Sequence, residues 1–378
     1  MIRTAQDATR PSVVRAVSLV ACALAQVACG GGATRHYGAD DPTHGIEAPP
    51  PPPPPETVEE VPSDIVLRAA RPFHGERTAD GEMLGKNAFL SELGRADAIC
   101  IGERHDSASD HYAQLAVLRG LIERQEVGGF DLGVGLEMFD ETQQPALDRF
   151  SAGRITLEQL VTESGYEARW GFPIQYYAPQ LETARSSKNP LLALNVQRAL
   201  TRAVAEKGLD DLPPDVRKRL PELHLDSAEH RALFDALMEG HPEPHGAAPA
   251  SSSKPAEGAT QDDSIDRMYA AQVVWDEAMA NRAAQWLLQR KPARKLLIFA
   301  GQAHCHREAI PARIERRGVT RVVSVLPVHQ SGDREVPAAR AVPADPHAAP
   351  DARAAAPASA GAAEAALRAG YDYYLVFE

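Results

Sequence analysis

The chain has 378 residues, 44% hydrophobic and 24% charged, enough for one large domain or two small ones. Its net charge of −12 excludes the basic surface that non-specific nucleic-acid binding needs, and its 30 prolines cluster, marking linkers rather than core. No apolar run of about 20 residues follows the N-terminus, so no membrane-spanning helix is predicted there.

Residues 1–28 read as a secretory signal. Arg3, Arg10 and Arg15 give a basic start, and Ala16 to Ala28 is mostly apolar but too short to span a bilayer. Val27, Ala28 and Cys29, followed by glycines, resemble a bacterial lipobox, with Cys29 lipidated and made the mature N-terminus. Gln26 departs from the leucine usual in such a motif. Leu19 to Cys22 is the alternative, with Cys22 as the lipidated residue, and a third reading is an ordinary cleaved signal. Residues 29–63 read as a tether, because the prolines from Pro49 to Pro55 favour polyproline II, a semi-rigid spacer.

Residues 64–378 carry the folded domain. Ile65 to Leu67 predict a short strand and Asn87 to Leu93 a short helix. The stretch from Ala98 to His105 then reads as a buried strand that runs out into Gly102, Glu103, Arg104 and His105. A helix follows over 106–126, capped by Asp106, Ser107 or Ser109, with His111, Leu115, Leu118 and Ile122 on one stripe. Residues 130–140 form a strand leading to Glu137. Thr142 to Phe150 and Leu157 to Ser164 are helical. Trp170, Phe172, Tyr176 and Tyr177 crowd a loop that suits a flat apolar ligand. A helix over 180–187 precedes a strand ending at Asn195. Helices are predicted over 199–207 and 227–239, and a Pro/Ala/Ser/Gly-rich stretch over 241–263 reads as a mobile insertion. A long helix over 264–290, capped by Ser264, puts Gln272 on its apolar stripe and Asp276 one turn on. A buried amide there must find partners. Strands over 295–300 and 321–327 flank a helix over 311–317. Residues 330–361 are Ala/Pro-rich and read as a second mobile insertion. The terminal strand over 371–377 is expected at a sheet edge. Strands alternating with helices predict an α/β domain, a largely parallel or mixed sheet of about six strands flanked by helices, single and large.

Two strands share one ending. Both the stretch ending at His105 and the one ending at His304 are an apolar run, a glycine, two residues and a histidine. In open α/β sheets ligands bind outside the carboxyl ends of the strands. Glu103, His105, Glu137 and His304 are therefore predicted to meet in one site, with Asn195, Gln272 and Asp276 in support. Two chemistries suit this set. His105, His304 and Glu103 are the right ligand types for zinc or another divalent ion. The same residues can act as general acid and base without a metal. Arg104 can hold a carboxylate or phosphate, and His111 sits near the same helix N-terminus. The blander reading makes Glu103 and Glu137 ion-pair partners of Arg104 or Arg169. No HExxH, CxxC, GxSxG or P-loop is present. Cys100 and Cys305 either form a disulfide, if their strands are neighbours, or stay a buried apolar residue and a free thiol.

The segments IGERHDSASDHYAQLAVLRGL, GLEMFDETQQPALDRF, YYAPQLETAR, NPLLALN, AQVVWDEAMA and LLIFAGQAHCHREAIPARI, with the ending DYYLVF, resemble the ChaN-like haem-binding lipoproteins. That family lies in a superfamily with Tiki-type proteases, TraB-like proteins and erythromycin-esterase-like hydrolases, which implies as the alternative function a hydrolase, an esterase or a metal-dependent peptidase, using the Glu/His strand-end site. The resemblance implies a haem-binding role in iron or haem uptake, on a protein lipid-anchored in the bacterial cell envelope, at the outer membrane. It implies haems face to face between two protomers, hence a homodimer, with a tyrosine on each iron and a histidine at the propionates. Tyr112 and Tyr177 are the tyrosine candidates; Arg104 and His111 are the propionate candidates.

Overall fold

The computed structural model describes residues 64–239, 261–289, 293–328 and 357–377. The signal, the lipidation cysteines, the tether and most of both insertions lie outside the described residues. Helix covers 261–263 at the end of the first expected insertion and, as part of Pro357–Ala369, 357–361 at the end of the second.

Apolar runs buried on both faces build the centre of the sheet. In β3 (Ala98–Glu103) all six residues are buried, as expected of a parallel strand covered on both sides. Ile99 and Ile101 point into one apolar core, and Ala98 and Cys100 into the other. The remaining strands are β1 (Phe73–Arg77), β2 (Met83–Gly85), β4 (Asp131–Asp140), β5 (Leu191–Asn195), β6 (Arg294–Gly301), β7 (Val322–Val328) and β8 (Tyr373–Phe377). They form one sheet in the order β2-β1-β8-β7-β3-β6-β4-β5. Pairing from β8 through β5 is parallel, and β1 pairs antiparallel with both β2 and β8. Helix Ala108–Gly128 packs on the first core, and helices Gln261–Leu287 and Ile310–Arg316 on the second. Ser107, one of three expected caps, accepts the Asp110 amide at 3.3 Å.

The chain runs outward from β3 to β4 and β5, then returns to lay β6 between β3 and β4. That reversal makes β3, β6 and β4 neighbours with their carboxyl ends level: Glu103 pairs with Gly301, and Leu136 with Phe299.

Three expectations are corrected. Residues 65–67 belong to a short helix, Asp64–Arg68, not a strand. The strands at 73–77 and 83–85 raise the count to eight; FHGER is short and mostly polar, and MLG has only three residues, so neither announces itself. The terminal strand is not at an edge: β8 lies between β7 and β1, because the β1–β2 hairpin covers its outer side.

Cys100 on β3 is bonded to Cys305 in the helical turn that follows the neighbouring β6, with Cα atoms 5.3 Å apart and a sequence separation of 205 residues. The bridge ties β3 to the turn that carries His304. Closing so long a loop restricts the unfolded chain strongly, by roughly 2–5 kcal/mol in measured cases. Replacing Cys305 by serine should cost about 2–4 kcal/mol in urea unfolding. Equal midpoints for the variant and the oxidised protein would mean the bridge does not stabilise the fold.

Next to the bridge, His306 is buried against residues that follow the last helix. A Cβ on Gly370 would fall 1.6 Å from His306 Nε2, so only glycine lets the chain pass. Burial, then the neighbouring His230, pushes the His306 imidazole down to about 4, against partial support from a backbone acceptor and Asp276. The folded value lies below the ordinary 6.5, so the unfolded chain binds the extra proton first as pH falls. The neutral ring's contribution is complete above about 6.5 and is lost as pH drops through about 4. Urea midpoints of the unmodified protein should fall across that window, and His306→Gln should flatten the fall. An unchanged slope in the variant would assign it to other groups.

Candidate functional site

Glu103 closes β3 and is buried, so its charge must be met by neighbours. Oε1 accepts from His105 Nδ1 at 2.9 Å and from the Tyr177 hydroxyl at 2.5 Å. Oε2 accepts from the Gln114 amide and lies 3.7 Å from His111 Nδ1. Burial alone would raise the Glu103 carboxyl, but His111 and His105, together with the Tyr177 hydrogen bond, hold it at about 2. Burial and then the Glu103 charge push the Tyr177 hydroxyl well above its ordinary value. Glu103 is therefore a carboxylate fixed by a protonated tyrosine, and it orients His105.

The second half starts from His304, in the helical turn Gln302–Cys305 that follows β6. Its Nδ1 lies 2.6 Å from Asp276 Oδ1 and 3.1 Å from the Gln272 amide, both on helix Gln261–Leu287. Its Nε2 lies 3.3 Å from Glu137 Oε1. Glu137 Oε2 accepts the Gly301 amide at 2.6 Å, and Asn195 holds the Glu137 carbonyl at 2.9 Å. Burial lowers the His304 imidazole, but Glu137 and Asp276 outweigh it and the net shift is upward. Asp276 is held well below the usual carboxylate range despite its burial, by His304 and His230 and by Arg313.

The halves meet at Gly301. A Cβ there would lie 3.1 Å from His105 Cε1, 3.2 Å from His105 Nε2 and 3.6 Å from Glu137 Oε2. Two imidazoles, each backed by a carboxylate, thus flank the Glu137 carboxylate. Such an array can take up, hold and return a proton. At the mouth, the His105 side chain is 16% exposed and its ring packs against Trp170 and Phe172, with centroids 4.8 and 5.1 Å away.

Glu103, His105, Glu137 and His304 do come together, with Asn195, Gln272 and Asp276 in supporting contacts. The ion-pair reading of the glutamates does not hold: Arg104 faces Asp110 at 3.6 Å, and Arg169 bonds Asp140 at 2.6 Å. His111 is corrected as a propionate candidate. It is fully buried, stacked on Tyr176, with Nε2 3.0 Å from the His105 carbonyl. Arg104 keeps a third of its side chain exposed and bonds Ser107 as well. Both tyrosine candidates are closed to an outside ligand: Tyr112 is buried against Phe377 and Tyr177 is committed to Glu103. No cluster of three or more His, Cys, Asp or Glu side chains arranged to hold a metal ion occurs among the described residues. The expected set of Glu103, His105 and His304 is not assembled, because Glu103 faces the far nitrogen of His105.

His230 and Arg313 carry no signal in the sequence that would mark them. His230 Nε2 lies 3.1 Å from Asp276 Oδ2, and Arg313 Nη2 lies 3.1 Å from His230 Nδ1. One histidine in a short helix and one arginine after a proline have no spacing that would single them out.

Comparison with known proteins agrees with this architecture. The protein-family profile described as "Haem-binding uptake, Tiki superfamily, ChaN" matches residues 89–314, more than half of the chain and the whole of the site. Among solved structures, ChaN of Campylobacter jejuni, described with cofacial haem binding, aligns with a TM-score of 0.55 at 18% identity, covering 82% of this chain and 98% of that one. A mutant erythromycin esterase in its open conformation aligns with a TM-score of 0.37 at 16% identity, covering 68% of this chain and 77% of that one. The type III effector HopBA1 gives a TM-score of 0.38 at 10% identity, covering 66% and 83%. No curated protein matches the chain. The family match spans every residue of the paired imidazole–carboxylate array, and on it the chain belongs to the ChaN haem-binding uptake family of the Tiki superfamily.

Proposed function

We propose that this protein binds haem in iron or haem uptake at the bacterial cell envelope, anchored through a lipid on Cys29. The observation that carries the reading is the family match across residues 89–314. The mouth of the site supports it chemically. Trp170 and Phe172 offer apolar ring faces beside His105, as a flat macrocycle requires. ChaN of Campylobacter jejuni binds haem cofacially, and a homodimer holding paired haems is the corresponding proposal here.

The iron contact proposed for this chain is His105 rather than a tyrosine. Metal-bound imidazoles commonly present their second nitrogen to a carboxylate, which fixes the ring and raises its basicity. His105 has that arrangement with Glu103. No helix among the described residues is long and apolar enough to cross a membrane, and the lipid anchor is the proposed attachment.

A second reading, an esterase- or peptidase-type hydrolase, is favoured by the Asp276–His304–Glu137 chain. Haem binding at the mouth does not use that chain. A divalent metal would belong to this reading.

Haemin titration followed by absorbance tests the first reading. A saturable Soret shift is expected, lost in His105→Ala and retained in Tyr177→Phe and Tyr112→Phe. Glu103→Gln should weaken binding roughly 10–100-fold, as loss of an outer carboxylate does at metal sites. Absence of any saturable shift overturns the reading. For the hydrolase, an ester and peptide screen should find a turnover that His304→Ala lowers about 10²–10⁴-fold with unchanged circular dichroism. Equal rates in both proteins would remove His304 from the chemistry.

A further inference from the structure

Behind His304 and Asp276 the site continues into the protein through His230 and Arg313, which neither reading of the function uses. Asp276, His230 and Arg313 are all buried, on three different helices. Asp276 presents one oxygen to His304 Nδ1 at 2.6 Å and the other to His230 Nε2 at 3.1 Å. The far nitrogen of His230, Nδ1, faces Arg313 Nη2 at 3.1 Å and the Tyr269 hydroxyl at 3.2 Å. Arg313 is itself held by the Glu308 and Ala309 carbonyls at 2.5 and 3.0 Å and by Glu277 at 3.3 Å.

Hydrogen-bond chemistry gives this chain a direction. A guanidinium has donors and no acceptor, so the nitrogen it faces must accept. That puts the ring proton of His230 on Nε2, aimed at Asp276. Asp276, ionised, only accepts, and at 2.6 Å it is closer to His304 Nδ1 than the Gln272 amide nitrogen at 3.1 Å, so Nδ1 carries its proton toward Asp276. The remaining nitrogen of His304, Nε2, is thereby turned to Glu137 and the site. Each contact constrains the next, the Asp276–His230 one as a close pair rather than an aligned hydrogen bond, starting from a residue whose protonation never changes.

We propose that Arg313 and His230 are positioning residues of the site: through Asp276 they fix the His304 ring and its Nδ1 proton, and so present Nε2 to Glu137 and to the bound ligand. The proposal rests on the reading that His304 belongs to the functional site. It bears on the hydrolase reading, in which a substrate meets that nitrogen; haem held at His105 does not reach it. The second histidine on the carboxylate would otherwise be an expensive way to fill a core. A buried imidazole and a buried guanidinium both need partners, and apolar residues of similar size do not.

Nitrogen-15 and proton spectra of the full protein with labelled histidine test it directly. In the unmodified protein, the His230 proton is expected on Nε2, and His304 should show a slowly exchanging Nδ1 proton. His230→Gln keeps an amide donor at the Nε2 position and should retain that His304 signal. His230→Leu removes the donor and should broaden or abolish it. A His230 proton on Nδ1 in the unmodified protein overturns the proposal without any variant, so a leucine variant that fails to fold does not protect it. An unchanged His304 signal in a folded His230→Leu protein overturns it too, leaving His230 a packing residue. None of these spectra depends on haemin. A failed haemin titration would sink the proposed function and leave the relay standing, and the reverse result would do the opposite.

Discussion

Three carboxylates sit under a sheet where water does not reach them, and the site is the arrangement that makes them tolerable. Glu103, Glu137 and Asp276 are each less than a tenth exposed. An unpaired buried charge is too costly for a marginally stable fold, so each carboxylate must find partners. Histidine meets that need at each one, and one backbone amide does so at Glu137. The Gly301 amide reaching Glu137 Oε2 is the joint between the halves. It places the end of β6 against the end of β4 and leaves, through the missing side chain, the space in which His105 stands. Topology supplies the joint, because β6 returns between β3 and β4 and brings all three ends to one level.

The central strands were legible because their burial is two-sided. A strand covered on both faces reads as an unbroken apolar run, and a polar residue at its end marks where the cover stops. Glu103, Glu137, Asn195 and His304 all follow that rule. Gln272 and Asp276 were legible for another reason, as polar residues on or beside an apolar helical stripe. What the pattern could not carry was the partner of each group. Tyr177 pairs with Glu103 across 74 residues, and no periodicity relates them. Its burial turns a chemically reasonable iron ligand into a structural donor. His230 and Arg313 were invisible for the same reason, since their meaning lies entirely in what they face. The hairpin at 73–85 failed differently, through shortness: its strands become sheet by pairing with β8, a segment from the far end of the chain.

Of the two imidazole–carboxylate pairs, only one reaches the outside. His105 lies at the mouth among aromatic rings, while His304 is almost fully buried and has Trp275 against it. A large planar ligand can meet the first and not the second. A small group entering between them would meet Glu137 and both histidines. The same scaffold therefore offers binding at its surface and proton chemistry one layer deeper. The two proposed functions, haem capture and hydrolysis, therefore differ in depth rather than in residue type.

That difference in depth also explains why the disulfide lies where it does. Cys100 stands three residues before Glu103 and Cys305 directly follows His304, so the bridge joins the strand bearing one imidazole–carboxylate pair to the turn bearing the other. A short helical turn such as Gln302–Cys305 has little hydrogen bonding of its own. Its histidine must nevertheless stay within hydrogen-bonding reach of both Asp276 and Glu137 to satisfy two buried charges. Neighbouring strands fix β6 as far as Gly301; beyond it, the covalent bond to β3 and the Asp276 contact take over. The oxidising compartment proposed for the protein is one in which such a bond persists. The proposed secretion and the site geometry are in this way physically linked, because a reducing compartment would leave the His304 turn held by its polar contacts and packing alone.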